Sequence, residues 1–187
     1  GFNNAFGSDR LKHASDYAEV ASSLGMTALF APEYPSLLSA GISSSQIREL
    51  VYKGDVEEAA QMLGRPYELD GIVLPGRQIG RTIGYPTANI APPQGRVLPQ
   101  CGVYACRAYV DGGEYPAVVN IGHRPTVDRQ ALPPVTIEAH LVGFDGDIYG
   151  HNVSLAFRRR LRPEHRFPNL EALRSQIAAD IDACMSL

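Results

Sequence analysis

GRQIGRTIGYPTAN, Gly76 to Asn89, lies between two runs that read as strands, and its reading decides what those strands build. Gly76, Gly80 and Gly84 recur every fourth residue, which leaves the backbone free to close as a flap over a bulky anion, with Arg77 and Arg81 supplying charge. Pro86 stiffens the far end. It fixes its own φ and pushes Tyr85 towards an extended conformation, so Thr87 and Asn89, two apart on extended backbone, present their oxygens on the same side. A hydroxyl and an amide carbonyl are hard ligands of the kind accepted by magnesium bound to nucleotide phosphates. No Lys-Ser or Lys-Thr follows the glycines, which excludes a Walker A loop, and their spacing is not that of a Rossmann turn. From the residues alone two readings stand: an anion-binding flap, and a glycine-rich hairpin turn with an exposed end.

Outward from this segment, everything beyond Pro66 has the texture of short strands separated by Gly, Pro and Asp, the pattern of a compact barrel. Tyr67 to Leu74 is expected as the strand entering the flap, and Cys101 to Val110 as the strand after the loop APPQGRVLPQ. Asp111-Gly112-Gly113 marks a hairpin turn, and Tyr115 to Ile121 the return strand. The strand after Pro134 alternates, with Val135, Ile137, Ala139 and Leu141 on one face and Thr136, Glu138, His140 and Val142 on the other. Phe144-Asp145-Gly146-Asp147 turns the chain into a strand from Ile148 to Phe157. Leu170, Leu173, Ile177 and Ile181 form an apolar stripe at helical spacing with Asn169 as its cap, which predicts a terminal helix. Glu138 sits mid-strand on the polar face between apolar neighbours that hold the backbone. A carboxylate so placed can take a proton from a hydroxyl, or can be a solvent-facing strand residue.

Before Pro66 the periodicity is helical. Tyr17, Val20, Ala21 and Leu24 fall on one face, with Gly25 as a C-terminal cap, and Met26 to Phe30 reads as a short buried strand. Ser43 and Gln46 have capping-box spacing, and Asp55 and Glu58 repeat the device for a helix from Val56 to Leu63. The triplet Ser43, Ser44, Ser45 with Arg48 one turn in can be an anion site or simple capping.

At 187 residues, 44% hydrophobic and 20% charged, the chain can hold one full core plus a smaller appendage. The net charge of −3 argues against a general nucleic-acid surface, although Arg158, Arg159, Arg160 and Arg162 are locally basic. No apolar run approaches membrane-spanning length, and the first residues have neither a charged leader nor a signal-type core, so a cytoplasmic setting is expected. Cys101, Cys106 and Cys184 lie in no metal-like spacing and are expected as reduced, mostly buried thiols.

GRTIGYPTAN resembles the signature of the riboflavin kinase family, and TIEAHLVGFDGDIYG resembles that family's VEVHLLDFxGDLYG. CGVYA, VVNIGHRPT and LRPEHRF, the last followed by an LxxQIxxD pattern, extend the likeness over nearly all of Pro66 to Asp180. Two departures are visible: Gly143 stands where the family usually has aspartate, and Tyr85 replaces the commoner phenylalanine. The resemblance implies a mainly β fold, a closed antiparallel barrel with a C-terminal helix. It implies transfer of the ATP γ-phosphate to riboflavin with Mg2+, giving FMN and ADP. Glu138 would be the general base on the 5′-hydroxyl. Gly76, Arg77, Gly80, Arg81, Gly84, Thr87 and Asn89 would bind ATP, Thr87 and Asn89 would hold the metal, and Arg162, Glu164 and Phe167 would contact the flavin.

ISSSQIR is similar to the ISSTxIR motif of the bacterial FMN adenylyltransferase domain, and GFNNAFG resembles that domain's GxDFxFG loop, with Asn3 or Asn4 where the family has aspartate. Residues 1–64 are therefore expected as a small α/β remnant of that nucleotidyltransferase domain and 65–187 as the kinase domain. The expected picture is a fragment of a bifunctional protein of FAD biosynthesis, lacking the N-terminal half that carries an HxGH-type motif. Ser43, Ser44, Ser45 and Arg48 would be a remnant nucleotide motif, and the chain is expected to make FMN but not FAD. Partners would be small molecules, with no nucleic acid or membrane. The alternative is a non-catalytic flavin- or RNA-binding barrel, which needs neither a metal ligand at Asn89 nor a base at Glu138.

Overall fold

The helical spacing upstream of Gly25 is realised as α1 (Tyr17–Ser23), after which Gly25 turns left-handed at φ 70°. This computed structural model describes residues 16–30, 41–76, 79–91, 94–123 and 135–187, grouped into two compact units, Gly1–Ile42 and Ser43–Leu187. In the first unit, Met26 to Phe30 is irregular chain rather than a buried strand, and Met26, Leu29 and Phe30 are exposed. A strand needs a ladder partner for its N–H and C=O groups, and among the described residues none pairs with this stretch. The GFNNAFG motif lies outside the described residues.

In the second unit, α2 (Ser44–Lys53) starts on the expected capping box. The Ser43 hydroxyl accepts from the Gln46 N–H at 3.2 Å, and the Gln46 side chain accepts from the Ser43 N–H at 3.1 Å. Both orphan donors are satisfied within one turn. α3 (Val56–Leu63) follows directly, but Asp55 makes no side-chain cap bond, because its backbone (φ −81°, ψ 59°) lies outside the extended region that aims a cap at the first turn.

Six strands then close into a barrel. They are β1 (Tyr67–Leu74), β2 (Ala88–Ala91), β3 (Gly102–Val110), β4 (Gly113–His123), β5 (Val135–Leu141) and β6 (Asn152–Arg162), and a short helix α4 (Ile79–Thr82) lies between β1 and β2. The order around the barrel is β1-β2-β5-β4-β3-β6, every pair antiparallel, with β6 returning to β1. Closure leaves no free sheet edge. The β3–β4 hairpin turns through Asp111 and Gly112 at φ 50° and 79°, the two positive values that a tight two-residue hairpin needs. β6 differs from its expected span: it starts at Asn152, not Ile148, and runs on through the arginines to Arg162. Ile148 is instead tucked into the barrel core ahead of the strand.

Inward-facing residues fill the barrel. Leu69, Tyr104, Val119, Ile121, Ile137, Leu155 and Phe157 are at most 2% exposed, and Tyr104 meets Phe157 edge to face at 5.3 Å. Val56 of α3 joins this core. The outer face of β3 and β4 is covered by α5 (Leu170–Met185), whose Cys184 packs with Val103, Ala105 and Val118. Asn169 caps α5 as expected, accepting from the Ala172 N–H at 2.8 Å. Leu170 is exposed, so the apolar stripe begins in effect at Leu173. The cysteines are free thiols, and burial pushes Cys106 and Cys184 up, away from the reactive thiolate.

Tyr104 gives a pH test of the core. Its hydroxyl donates to the Gln100 carbonyl at 2.5 Å, and burial raises its pKa from 10.0 to about 12. The fold favours the neutral phenol, so this contribution is complete below the unfolded value and is lost as pH rises through the folded one. Urea unfolding measured between pH 9 and 12 should show stability falling above about pH 10, with a shallower fall in Tyr104→Phe, which cannot ionise. An equal slope in both proteins would assign the alkaline loss to other groups.

Candidate functional site

Asn89, Glu138 and Asn120 form one row across three strands. Asn89 of β2 is the register partner of Glu138 in β5, and Glu138 is the register partner of Asn120 in β4. Their neighbours Ile90, Ile137, Ala139, Val119 and Ile121 are all buried in the core. Strand alternation therefore turns the row to the outer face, where directly opposed side chains stand about 5 Å apart at Cβ. Thr87 lies two residues before Asn89, just ahead of β2. The polar alternation expected for Glu138 is thus observed, and Asn89 is brought beside it by barrel closure.

Gly76 has a steric reason to be glycine. A Cβ at this position would overlap the Asn89 side-chain amide, so the end of β1 is bare where that amide lies against it. Within the glycine-rich segment, α4 adds a helical turn that the sequence pattern does not announce. Tyr85 donates its N–H to the Gly80 carbonyl at 2.8 Å and Ile83 to the same oxygen at 3.2 Å, which folds the segment back on itself. Arg81 is exposed on α4, and Arg77 lies outside the described residues.

Beside the row opens a cavity of about 430 Å³. Its floor is apolar (Val73, Ala139, Leu141, Ile148), and its mouth carries Arg81, Thr87, Asp145 and Asp147. Glu138 and Asn89 do not line it. Thr87 lines it and stands immediately before Ala88, the first ladder residue of β2. Among the described residues no cluster of His, Cys, Asp and Glu could hold a metal on its own. The oxygens of Thr87 and Asn89 are two neutral hard donors, a set that fits a magnesium ion carried mainly by substrate phosphates and water.

The segment after β6 is held by a buried ion pair. Arg162 meets Asp180 through two parallel bonds, Nε to Oδ1 at 3.0 Å and Nη2 to Oδ2 at 2.8 Å, with side chains 17% and 5% exposed. Gln176 donates a further bond to Asp180 at 2.9 Å, and the Arg162 guanidinium lies 5.6 Å from the Phe167 ring centre. Arg162 also donates to the Pro163 carbonyl at 3.2 Å. Its donors are thus committed to anchoring the Pro163–Phe167 segment. Glu164 of that segment accepts from Asn120 Nδ2 at 3.1 Å and lies over Gly122, where a Cβ would overlap the carboxylate. Two of the three residues expected at the flavin, Arg162 and Phe167, touch each other, and Glu164 reaches the neighbour of Glu138. Ser43 caps α2, and Ser44, Ser45 and Arg48 are exposed on it, away from the residues of this row in sequence.

Asn120 and Asp180 fall within the VVNIGHRPT and LxxQIxxD patterns, but the sequence reading gave neither of them a role. Only the strand register and the helix docking give them roles.

The family model described as flavokinase, riboflavin kinase, matches residues 63–187. A Pseudomonas fluorescens protein named bifunctional riboflavin kinase/FMN adenylyltransferase is 40% identical over 146 residues, which are 78% of this chain and 46% of that protein. A Listeria monocytogenes protein of the same name is 35% identical over 181 residues, 96% of this chain and 56% of that one. The chain spans about half the length of the curated relatives it matches. A crystal structure titled as a macrolide-efflux protein from Streptococcus pneumoniae shares the fold, with a TM-score of 0.86 at 31% identity over 100% of this chain and 59% of that one.

Proposed function

Taking as premise that the chain belongs to the riboflavin kinase family, we propose that its barrel transfers the γ-phosphate of ATP to the 5′-hydroxyl of riboflavin, yielding FMN and ADP for FAD biosynthesis. The observation that carries this reading is the register pairing of Asn89 with Glu138. It sets a proton acceptor next to an oxygen ligand suited to a nucleotide-bound cation, a pairing that a pure binding module does not need.

In this mechanism Glu138 takes the proton of the 5′-hydroxyl as its oxygen forms a bond to the γ-phosphorus, and the bond from phosphorus to the β–γ bridging oxygen breaks to release ADP. The apolar floor of the cavity receives the nucleotide base, with Thr87 and Arg81 at its mouth towards the phosphates. Arg77, Gly76, Gly80 and Gly84 complete the phosphate-binding segment, whose arginines offset charge on the transferred group. Arg162, held by Asp180, takes the flavin side together with Glu164 and Phe167. Magnesium, when bound with ATP at Thr87 and Asn89, supplies charge neutralisation of the phosphates. Positioning and electrostatics suffice for this chemistry, since the transferred group needs little covalent help.

Purified chain with riboflavin and Mg-ATP should form FMN, measured by chromatography, and chelation should stop it. Riboflavin bound without turnover would replace this reading with a non-catalytic binding barrel. Thr87→Ala and Asn89→Ala should each lose about tenfold or more in turnover with weaker nucleotide binding and an unchanged fold, since neither side chain lies in the core. Wild-type rates at saturating magnesium in both would remove them from the site.

For the longer polypeptide we propose the second activity named for the relatives, adenylylation of FMN, with residues 1–64 as the end of that domain and Ser43, Ser44, Ser45 and Arg48 as its nucleotide motif. A cytoplasmic setting goes with these soluble substrates. Among the described residues no helix is long and apolar enough to cross a membrane.

A further inference from the structure

His140 lies two residues beyond Glu138 on the same face of β5, and the reaction described above does not use it. Its Nδ1 stands 2.8 Å from the carbonyl oxygen of Pro86. A carbonyl can only accept, so Nδ1 carries the proton in this contact, as it does in one neutral tautomer and in the imidazolium alike. The ring also meets Tyr85 edge to face, with centres 5.6 Å apart and planes at 87°. Tyr85 is the residue whose N–H bonds to Gly80, so the contact reaches the short helix of the glycine-rich segment.

The β2–β5 ladder begins only at Ala88, paired with Ala139. Pro86 precedes it and has no N–H with which to join. Thr87 is therefore held from one side by the ladder at Ala88 and from the other by whatever holds Pro86. His140 is the side chain that hydrogen-bonds Pro86, next to the Tyr85 N–H that is tied to Gly80.

We propose that His140 is a positioning residue for phosphoryl transfer. It pins the Pro86 carbonyl to the strand that carries Glu138, and so fixes the Thr87 hydroxyl and the base of the glycine-rich segment relative to the carboxylate. The inference rests on the kinase reading, and the strength of the effect follows from how sharply phosphoryl transfer depends on placement.

Three variants separate the tether from plain packing. His140→Asn keeps an N–H near the place of Nδ1, His140→Phe keeps a ring against Tyr85 without a donor, and His140→Ala keeps neither. Calorimetric titration with Mg-ATP, riboflavin omitted, should show binding about tenfold weaker in the Phe and Ala variants and within about threefold of wild type in Asn, as loss of one hydrogen bond predicts. In steady-state assays KM for ATP should rise in the same order, while KM for riboflavin stays within about twofold. Thermal unfolding midpoints should stay near wild type, because His140 is only half-buried. Undiminished Mg-ATP binding in the Phe and Ala variants would overturn the proposal. So would parallel losses for ATP and riboflavin accompanied by a lowered midpoint, which is the signature of a merely structural ring. Absence of FMN from wild-type chain would sink the kinase reading by itself, and the titration order of the variants would still decide whether the tether exists.

Discussion

Glu138→Gln is expected to lower turnover by about a hundredfold or more while riboflavin and ATP still bind, because the amide keeps the shape of the side chain and removes the proton acceptor. That corresponds to about 2.7 kcal/mol of lost transition-state stabilisation. The fold should be indifferent. Ile137 and Ala139, on either side of Glu138, are 2% and 0% exposed and lock β5 into the core, and the carboxylate itself points to the outer face. Asn89 and Asn120 remain its register partners through the backbone ladders, so the row can stay in place. The decisive measurement is the split between kcat and KM in steady-state FMN formation. A fall in kcat with KM for both substrates within about threefold identifies an interaction made in the transition state. A loss of less than about threefold in kcat would return Glu138 to the rank of an ordinary strand residue, whatever its neighbours.

Asp180→Ala should produce the largest loss of stability among single changes near the site. It leaves the Arg162 guanidinium, 17% exposed, with three hydrogen bonds to carboxylate removed and no counter-charge. Breaking one side of a buried pair typically costs about 3–5 kcal/mol, because the remaining charge is left desolvated. Against a typical domain stability of about 5–15 kcal/mol this is a large share. The thermal midpoint should fall by on the order of 10 °C. The effect should also reach function. With Arg162 freed, the Pro163–Phe167 segment loses its anchor to α5, and KM for riboflavin should rise more than KM for ATP. Combining Asp180→Ala with Arg162→Met removes both charges and should restore much of the stability, since apolar residues of similar size often replace buried pairs at little cost. The double variant should still bind riboflavin poorly if Arg162 positions the segment. A drop of under about 1 kcal/mol in Asp180→Ala would mean that water reaches the pair and that it is a surface contact.

Several parts of this protein are set by residues a few positions apart and were legible before the fold was known. The α2 start rests on Ser43 and Gln46, the β3–β4 hairpin on Asp111 and Gly112, the α5 start on Asn169, and the two faces of β5 on a period of two. Each involves backbone groups satisfied within one turn or one strand, so no distant residue is needed to close the hydrogen-bonding account. The span of β1 and the polar orientation of Glu138 were legible for the same reason. Asp55 shows the limit even at short range: the capping spacing is present, but the tight turn between α2 and α3 sets a backbone that cannot use it.

The rest depends on which strands meet when the barrel closes. β2 pairs with β5, not with its sequence neighbour β3, and that non-local pairing makes Asn89 and Glu138 partners, while the β4–β5 pairing adds Asn120 to the row. A one-residue slip would have sent the row to the other face, and no local pattern reports the register of strands so far apart in the chain. The docking of α5 on β3 and β4 likewise brought Asp180 to Arg162 as its counter-charge, and the pair anchors the segment that carries Glu164. Met26 to Phe30 makes the same point in reverse. Its apolar, strand-like composition met no partner among the described residues, and without a ladder to receive its backbone groups it stays irregular.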